Sequence, residues 1–541
     1  MYSNQLLDRI ISLLAPDGFT ERTESEARYS ARQLAEGAVV TRSAPSPTGF
    51  LHIGTIYMSL INKLVGLSTS GVYMLRIEDT DKKREIENGV RTIVSMLERF
   101  NLKPDEGVDQ DSHSYGAYGP YMQSERGKMY LGYAVDLLRK GRAYPCFATP
   151  EELKAITDAQ QAAKVRPGYY GDWAKDLWRD RGEEQIVRAL DEGMPFVLRF
   201  RSEGLHEKRV AFDDVLKGHM ELPENDLDVP LIKSDEYRLP TYHLAHVVDD
   251  YLMQTNMILR GDEWLPSTPL HFELCDALAI PRFRYAHFAP INIMDGNSKR
   301  KLSKRKDPQA DVAYFLAAGY PTEAVLEYLV RLANSNFEDW RKENPATPLW
   351  DFPFSFEKWA KARGALLDMQ KLNDVSKDVI GAMTQADFTA ALLGWATEYA
   401  PYFKEAAESD MAYAEKVFTI ERDGEKPRKD LAKWEDAPEQ YGYFFDGLFS
   451  EHFAPRIGEE LKDVDPALIV RVCETFLRSY NPADNQETWL AAFRQNAESV
   501  DMKLGDFARI IRVKLTGKNR SPDLWAVLQT MGEERVRSRL S

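Results

Sequence analysis

Cysteine is scarce in this chain, with only Cys146, Cys275 and Cys473 among 541 residues. Three thiols, odd in number and far apart, exclude a disulfide framework and point to a reducing compartment, the cytoplasm. Long apolar runs are missing too. No stretch reaches the ~20 uninterrupted apolar residues that a bilayer span needs, so no membrane role is expected. Positive charge is in deficit, since 70 Lys and Arg face 85 Asp and Glu for a net charge of −15. That balance opposes general adsorption to a polyanion, and any nucleic-acid surface must be a local basic patch. There is no internal repeat and no low-complexity segment. The first thirty residues have a short apolar centre but no basic leader and several acids, and they read as a helical extension rather than a signal.

What is present is an ordinary globular composition, 43% hydrophobic and 29% charged. The length exceeds what one core can serve, which predicts three or four domains. Val39 to Arg42 reads as a short buried strand, followed by the turn-rich AlaProSerProThrGly. A helical pattern through Ile56, Leu60, Leu64 and Leu67 comes next, then a second strand over Val72 to Ile77. This order suggests a βαβ crossover. From about Tyr115 to Asp228 the pattern is irregular, with an amphipathic helix over Lys128 to Lys140 and the strand-like PFVLRF, as in an inserted α+β domain. Parallel-sheet signals return with Tyr242 to Val248 and Asn256 to Arg260, followed by a helix over Leu270 to Leu278. Beyond about Asp311 amphipathic helices dominate. The charged stretch DGEKPRKDLAKWED, from Asp423, reads as exposed loop.

Two segments carry candidate chemistry. Ser46 to Thr55 lies where the first strand gives way to the first helix, a ligand-binding edge in α/β folds. Free N–H groups at a helix start suit phosphates, His52 can donate to a phosphate oxygen, and Gly54 removes a side chain where a nucleotide base could approach. Alone, a histidine before a helix is more often a cap. Well downstream, Lys301-Leu302-Ser303-Lys304-Arg305 reads as a flexible basic loop whose two lysines can neutralise a triphosphate. Taken alone, it is a solvated loop. The pairing of the two segments across an inserted domain is specific.

The pairing resembles class I aminoacyl-tRNA synthetases, with HIGT (His52 to Thr55) as first signature and KLSKR as second. Within that class the chain is similar to glutamyl-tRNA synthetases of the bacterial type from Val39 onward. The likeness is carried by TRSAPSPTGFLHIGT, LRIEDTD from Leu75, GPYMQSER from Gly119, PTYHLAHVVDD from Pro240, ILRGDEWLPSTPLH from Ile258 and the closing segment from Lys503.

The resemblance implies a Rossmann-like parallel-sheet catalytic domain in two halves (39–115 and 228–310) around an inserted acceptor-end-binding domain (116–227). A helical stem-contact domain (311–375) and a helical anticodon-binding domain (376–541) would follow, with 1–38 as a helical extension outside the resemblance. It further implies L-glutamate, ATP with Mg²⁺ and tRNA(Glu) as partners, and a monomer. ATP would be held by His52, Gly54, Thr55, Lys301, Leu302, Ser303, Lys304 and Arg305, with His52, Lys301 and Lys304 catalytic. Arg42, Ala44, Ser46, Glu78, Tyr242, His246 and Arg260 would line the glutamate pocket. A dicarboxylate suits two guanidinium groups, Arg42 and Arg260, and Glu78 would hold the ammonium. A purely structural account would instead pair Arg42 with Glu78 and Arg260 with Asp262.

Three positions depart from the pattern. His246 stands where bacterial glutamate enzymes commonly carry Asn and is reminiscent of glutaminyl-tRNA synthetases. Thr55 replaces a second histidine. Cys146-Phe147-Ala148 lacks the second ligand of a Cys-x-Cys zinc pair, so no structural zinc is expected. The alternatives are an enzyme that also charges tRNA(Gln), or a glutaminyl enzyme. Arg509, Arg512 and Lys514 are weak candidates for tRNA contacts.

Overall fold

The computed structural model describes residues 2–303, 305–360, 365–422 and 428–541, the side chains of Asp176 and Ala360 excepted. It divides into two compact units, Met1–Val312 with Leu329–Leu367, and Ala313–Tyr328 with Asp368–Ser541.

The first unit is built on short buried strands joined by helices. Val40–Ser43, buried at every position, pairs in parallel with Val72–Leu75, and the helix Ile53–Ser68 crosses between them. Its apolar residues cover most of its circumference, which suits a helix enclosed by its own strands. The Thr41 hydroxyl donates to the Asn62 carbonyl at 3.0 Å, and the hydroxyls of Ser43 and Ser59 lie 2.9 Å apart. Gly71 turns the chain back into the second strand. A Cβ there would meet the Val39 carbonyl oxygen at 2.0 Å, so only glycine passes.

A second parallel pair, Met257–Gly261 with Arg284–Phe288, is connected through the helix Thr268–Leu278. The Asn256 side chain joins the two pairs, donating to the Ala38 carbonyl and accepting from the Val40 amide, both at 2.9 Å. One expected strand is a helix instead. Tyr242–Leu252 reads as continuous apolar sequence from the strand side, but it buries Leu244, Ala245, Val247, Val248 and Leu252 at helical spacing.

The inserted segment is α+β. Ala143–Cys146, Val197–Phe200 and Pro230–Ile232 form an antiparallel sheet, and Arg209–Asp214 pairs with Gly218–Pro223 as a separate hairpin. The N-terminal residues are stitched to this body. In the helix Asn4–Leu14, Leu6, Ile10 and Leu14 are buried at i, i+4 spacing. The Ser3 amide and hydroxyl donate to Glu183 at 2.6 and 2.9 Å, and Arg9 pairs with Asp191 at 2.6 Å. Arg32 forks onto Glu106 at 2.8 Å and lies 3.7 Å from the centre of the Tyr118 ring.

Among the described residues the second unit is helical. Its core is dense in aromatics, with Phe388, Phe403, Phe418, Tyr441, Phe444 and Phe507 all at most 1% exposed. The stretch from Asp423 is not uniformly exposed. Residues 423–427 lie outside the described residues, while Leu431, Ala432 and Trp434 are buried.

Candidate active site

The turn before the first crossover helix is organised by His52. It is the N-cap of Ile53–Ser68, and its Nδ1 accepts from the Gly54 amide at 2.9 Å. A neutral ring that accepts at Nδ1 carries its hydrogen on Nε2, the tautomer able to donate to a phosphate oxygen. Gly54 has a local role besides any approach of a base. A Cβ there would lie 2.9 Å from His52 Nδ1, so glycine is what lets the ring close onto the cap.

The chain just past the downstream signature comes to the same edge. His52 forms an antiparallel bridge with Asp311, and the Val312 amide donates to the Leu51 carbonyl at 3.1 Å. The segment is less loose than its composition suggests. Lys301 ends the strand Ser298–Lys301, paired with Asn292–Asp295, and Leu302 is buried. Asp307 accepts from the Ser303 amide at 2.8 Å and from both Arg300 Nη atoms at 2.7 Å. The Arg300 fork, aided by that amide, holds the Asp307 carboxyl down at about 2. Lys301 pairs with Glu263 at 3.0 Å, both side chains about half exposed. Thr55 donates its amide to the His52 carbonyl, and Arg305 is exposed. Lys304 lies outside the described residues.

Beneath this edge is a buried network of charges. Arg42 does not pair with Glu78. Its Nε and Nη2 donate to Asp250 at 2.9 and 3.2 Å, and Arg76 reaches the same carboxylate at 2.7 Å. Arg126 donates to Asp249 at 2.7 Å, and the Tyr130 hydroxyl also donates to Asp249. Glu78 accepts from Arg76 at 3.1 Å, and its amide donates to the Pro45 carbonyl between Ala44 and Ser46. Burial pushes the Glu78 carboxyl up against the pull of Arg76 and Arg42. Burial likewise raises the Tyr242 hydroxyl, which feels Arg260, Glu78 and Arg42 together. Of the expected pocket residues, Arg42, Glu78, Tyr242 and His246, on whose ring Tyr242 stacks at 5.5 Å, thus lie near one another.

Arg260 differs from the other three. It is 3% exposed, yet no carboxylate pairs with it among the described residues, Asp262 included. Its Nε donates to His287 Nε2 at 2.8 Å, Nη1 faces His271 Nδ1 at 3.1 Å, and Nη2 donates to the Thr268 hydroxyl at 3.0 Å and the Trp264 carbonyl at 3.3 Å. The guanidinium lies 4.3 Å from the centre of the Tyr285 ring. These partners occupy four of its five N–H groups without cancelling its charge, and a buried cation of this kind favours an incoming anion.

A family model described as the catalytic domain of class I tRNA synthetases (E and Q) matches residues 38–342, and one described as an anticodon binding domain matches 395–541. The chain belongs to the class I tRNA synthetases. It is 42% identical to a glutamate–tRNA ligase of Clostridium perfringens over 95% of this chain and 96% of that one. It is 43% identical to a glutamate–tRNA ligase of Sorangium cellulosum over 96% and 97%. A crystal structure of a glutamate tRNA ligase from Elizabethkingia meningosepticum, in complex with its amino acid, superposes with a TM-score of 0.72 at 26% identity, covering 93% of this chain and 98% of that one. A match over 95% leaves about 27 of the 541 residues unpaired, fewer than the first 38. Part of the N-terminal extension is therefore shared with relatives, in keeping with its tight packing.

Several residues of this synthetase site had no motif to announce them. Arg76 lies within LRIEDTD with nothing to mark it, whereas Asp249 and Asp250, two adjacent acids closing the apolar helix HLAHVVDDYL, carry a usable sign, since buried carboxylates need cations. Asp214 and His287 gave no such sign. Arg509 is committed within the helical unit, donating to Asp463 at 2.7 Å, and Arg512 donates to Ser521 at 3.1 Å. Cys146 packs in an apolar cluster with Tyr144, Tyr169 and Ala174.

Two predictions arise in this site. Gly54→Ala should force the His52 ring off its cap and slow the ATP-dependent step roughly tenfold. The melting temperature should move little, because the better helix propensity of alanine offsets the lost cap. Pyrophosphate exchange and thermal melts check both, and unimpaired exchange would count the ring out.

The second concerns pH. His243, His246, His271 and His287 lie together, and burial lowers all four, to about 4 for His243 and about 3 for His246 despite Asp250 at 2.6 Å. These rings stay neutral in the fold, whereas the unfolded chain protonates them below their ordinary value. Stability is therefore fully present above about pH 6.5 and lost as pH falls below it, by roughly 2 kcal/mol at pH 5 for His243. Melts from pH 7.5 to 5.0 should show a steep loss that His243→Gln makes shallower, and an equal slope in the variant would refute the assignment.

Proposed function

We propose that this synthetase uses ATP to activate L-glutamate as glutamyl-adenylate and then transfers the glutamyl group to the terminal ribose of tRNA(Glu). The reading rests above all on the backbone bridge between His52 and Asp311, which brings the chain just past the KLSKR segment onto the first signature, and on Arg260, a buried guanidinium with no carboxylate partner among the described residues. The relatives named glutamate–tRNA ligase agree with it over nearly the whole chain.

In the first step a glutamate α-carboxylate oxygen forms a bond to the α-phosphorus of ATP while the bond to pyrophosphate breaks. Positioning and charge neutralisation are most of what the protein must supply. His52 donates through Nε2 to a phosphate oxygen. Lys301 is held only by a half-exposed pair with Glu263, of a type worth about 0–1 kcal/mol, so it exchanges readily onto a triphosphate. Mg²⁺ would arrive with the nucleotide and neutralise its phosphates further. Lys304 is assigned by its place in the KLSKR signature. Arg260 binds one substrate carboxylate through its remaining N–H hydrogen and its charge, and Arg42 offers its free Nη1 to the other. Glu78 and Tyr242 bound the same space.

In the second step a terminal ribose hydroxyl of the tRNA, the 2′-hydroxyl by family resemblance, attacks the activated carbonyl and AMP leaves. The inserted segment guides the acceptor end and the helical unit reads the anticodon. A product consumed in translation supports a cytoplasmic location. Pyrophosphate exchange into ATP, with glutamate or glutamine and with or without tRNA, tests the reading. Exchange is expected with glutamate in the presence of tRNA, and exchange driven by glutamine would overturn it.

A further inference from the structure

Arg260 is held by residues that do not themselves face a substrate. His287 and Asp214 are both buried, His287 at 0% and Asp214 at 2% exposure. His287 Nδ1 lies 2.6 Å from Asp214 Oδ2, and Asp214 also accepts from the backbone amides of Leu216, Lys217 and His287 at 3.0, 2.9 and 3.2 Å. An acceptor with that many donors has one orientation. A carboxylate at hydrogen-bond distance from Nδ1 requires the ring hydrogen there, which leaves Nε2 as a lone pair. That lone pair receives Arg260 Nε at 2.8 Å. With the opposite tautomer, two N–H groups would face each other and the guanidinium would be pushed out of line.

We infer that His287, its tautomer set by Asp214, is a positioning residue that holds Arg260 in line for a carboxylate of the substrate. Asp214 ends the first strand of the hairpin Arg209–Asp214 and Gly218–Pro223, within the inserted segment, whereas Arg260 and His287 lie on adjacent parallel strands at paired register. The insert thus supplies one member of the amino-acid site. The inference rests on the proposed role of Arg260.

Amides at position 287 separate the two halves of the device. His287→Asn keeps a donor near Asp214 but has no acceptor that reaches Arg260. His287→Gln places a carbonyl oxygen near the Nε2 position. Glutamate KM, ATP KM and kcat are measured with tRNA for these variants, for Arg260→Ala and for the double variant Arg260→Ala/His287→Asn. His287→Asn should raise glutamate KM about tenfold with ATP KM unchanged, and His287→Gln should stay within about threefold of wild type. On the Arg260→Ala background His287→Asn should add nothing, since both act through one group. Should His287→Asn fail to fold, Asp214→Asn serves in its place, with the same expected rise and the same absence of effect on that background. Equal glutamate KM values for the two amides, or a full additive effect in the double variant, overturn the positioning role alone. An unchanged glutamate KM in Arg260→Ala removes Arg260 from the site and the inference with it.

Discussion

Asp250→Ala is expected to be the most damaging single change in the catalytic unit. The Asp250 side chain is 0% exposed and accepts from Arg42 at 2.9 and 3.2 Å and from Arg76 at 2.7 Å, with His246 Nδ1 at 2.6 Å. The two guanidinium groups outweigh the burial that would otherwise raise it, so its carboxyl is held well below the usual carboxylate range. Removing it leaves Arg42 buried with no carboxylate partner among the described residues, and leaves Arg76 to Glu78 at 3.1 Å and Asp249 at 3.6 Å. Breaking a buried pair from one side costs about 3–5 kcal/mol, a large part of the 5–15 kcal/mol by which domains are stable. The melting temperature of the catalytic unit should fall by roughly 10 °C. Glutamate binding should fail as well, because Arg42 loses the carboxylate that aims it. Asp250→Asn, which keeps the shape and loses the charge, should be milder. A wild-type melt for Asp250→Ala, followed by calorimetry, would mean that water or rearrangement compensates the arginines.

Arg260→Ala should behave in the opposite manner. Among the described residues its partners are two imidazoles, a hydroxyl and a carbonyl, with no carboxylate. Truncating it removes a desolvated cation together with its hydrogen bonds, so the two changes offset and the melting temperature should move by only a few degrees. Glutamate KM should rise about a hundredfold, equivalent to about 3 kcal/mol, the scale of a lost charge-assisted pair in a buried site. The comparison with Asp250→Ala is the sharper test. If Arg260→Ala destabilised the fold as much as Asp250→Ala and left glutamate KM unchanged, Arg260 would be structural.

Much of this site could be read in one dimension because its parts are local. His52, Gly54 and Thr55 occupy successive positions of a strand-to-helix turn, where capping chemistry is dictated by neighbours in sequence. The first crossover was legible for the same reason, since a buried strand, a proline-containing turn and an apolar helix succeed each other directly. The reading of Tyr242 to Val248 failed because a short apolar run carries no period that separates strand from helix, and only the surroundings of Leu244, Val247 and Val248 decided it. The basic segment from Lys301 looked flexible because charge and small residues resemble a loop. What tightens it, the Asp307 carboxylate on Arg300 and the Ser303 amide, is invisible until the chain is closed.

By itself, then, the sequence determined the class of the protein and singled out the candidate groups for ATP and glutamate, because those depend on residue types at fixed local spacing. Only the tertiary structure decided which charges neutralise which. Arg42 went to Asp250 rather than Glu78, and Arg260 went to His287 with Asp214 behind it rather than to Asp262. Pairing energies inside a protein depend on distance and on the exclusion of water, and both are set by contacts between residues 27 to more than 200 positions apart.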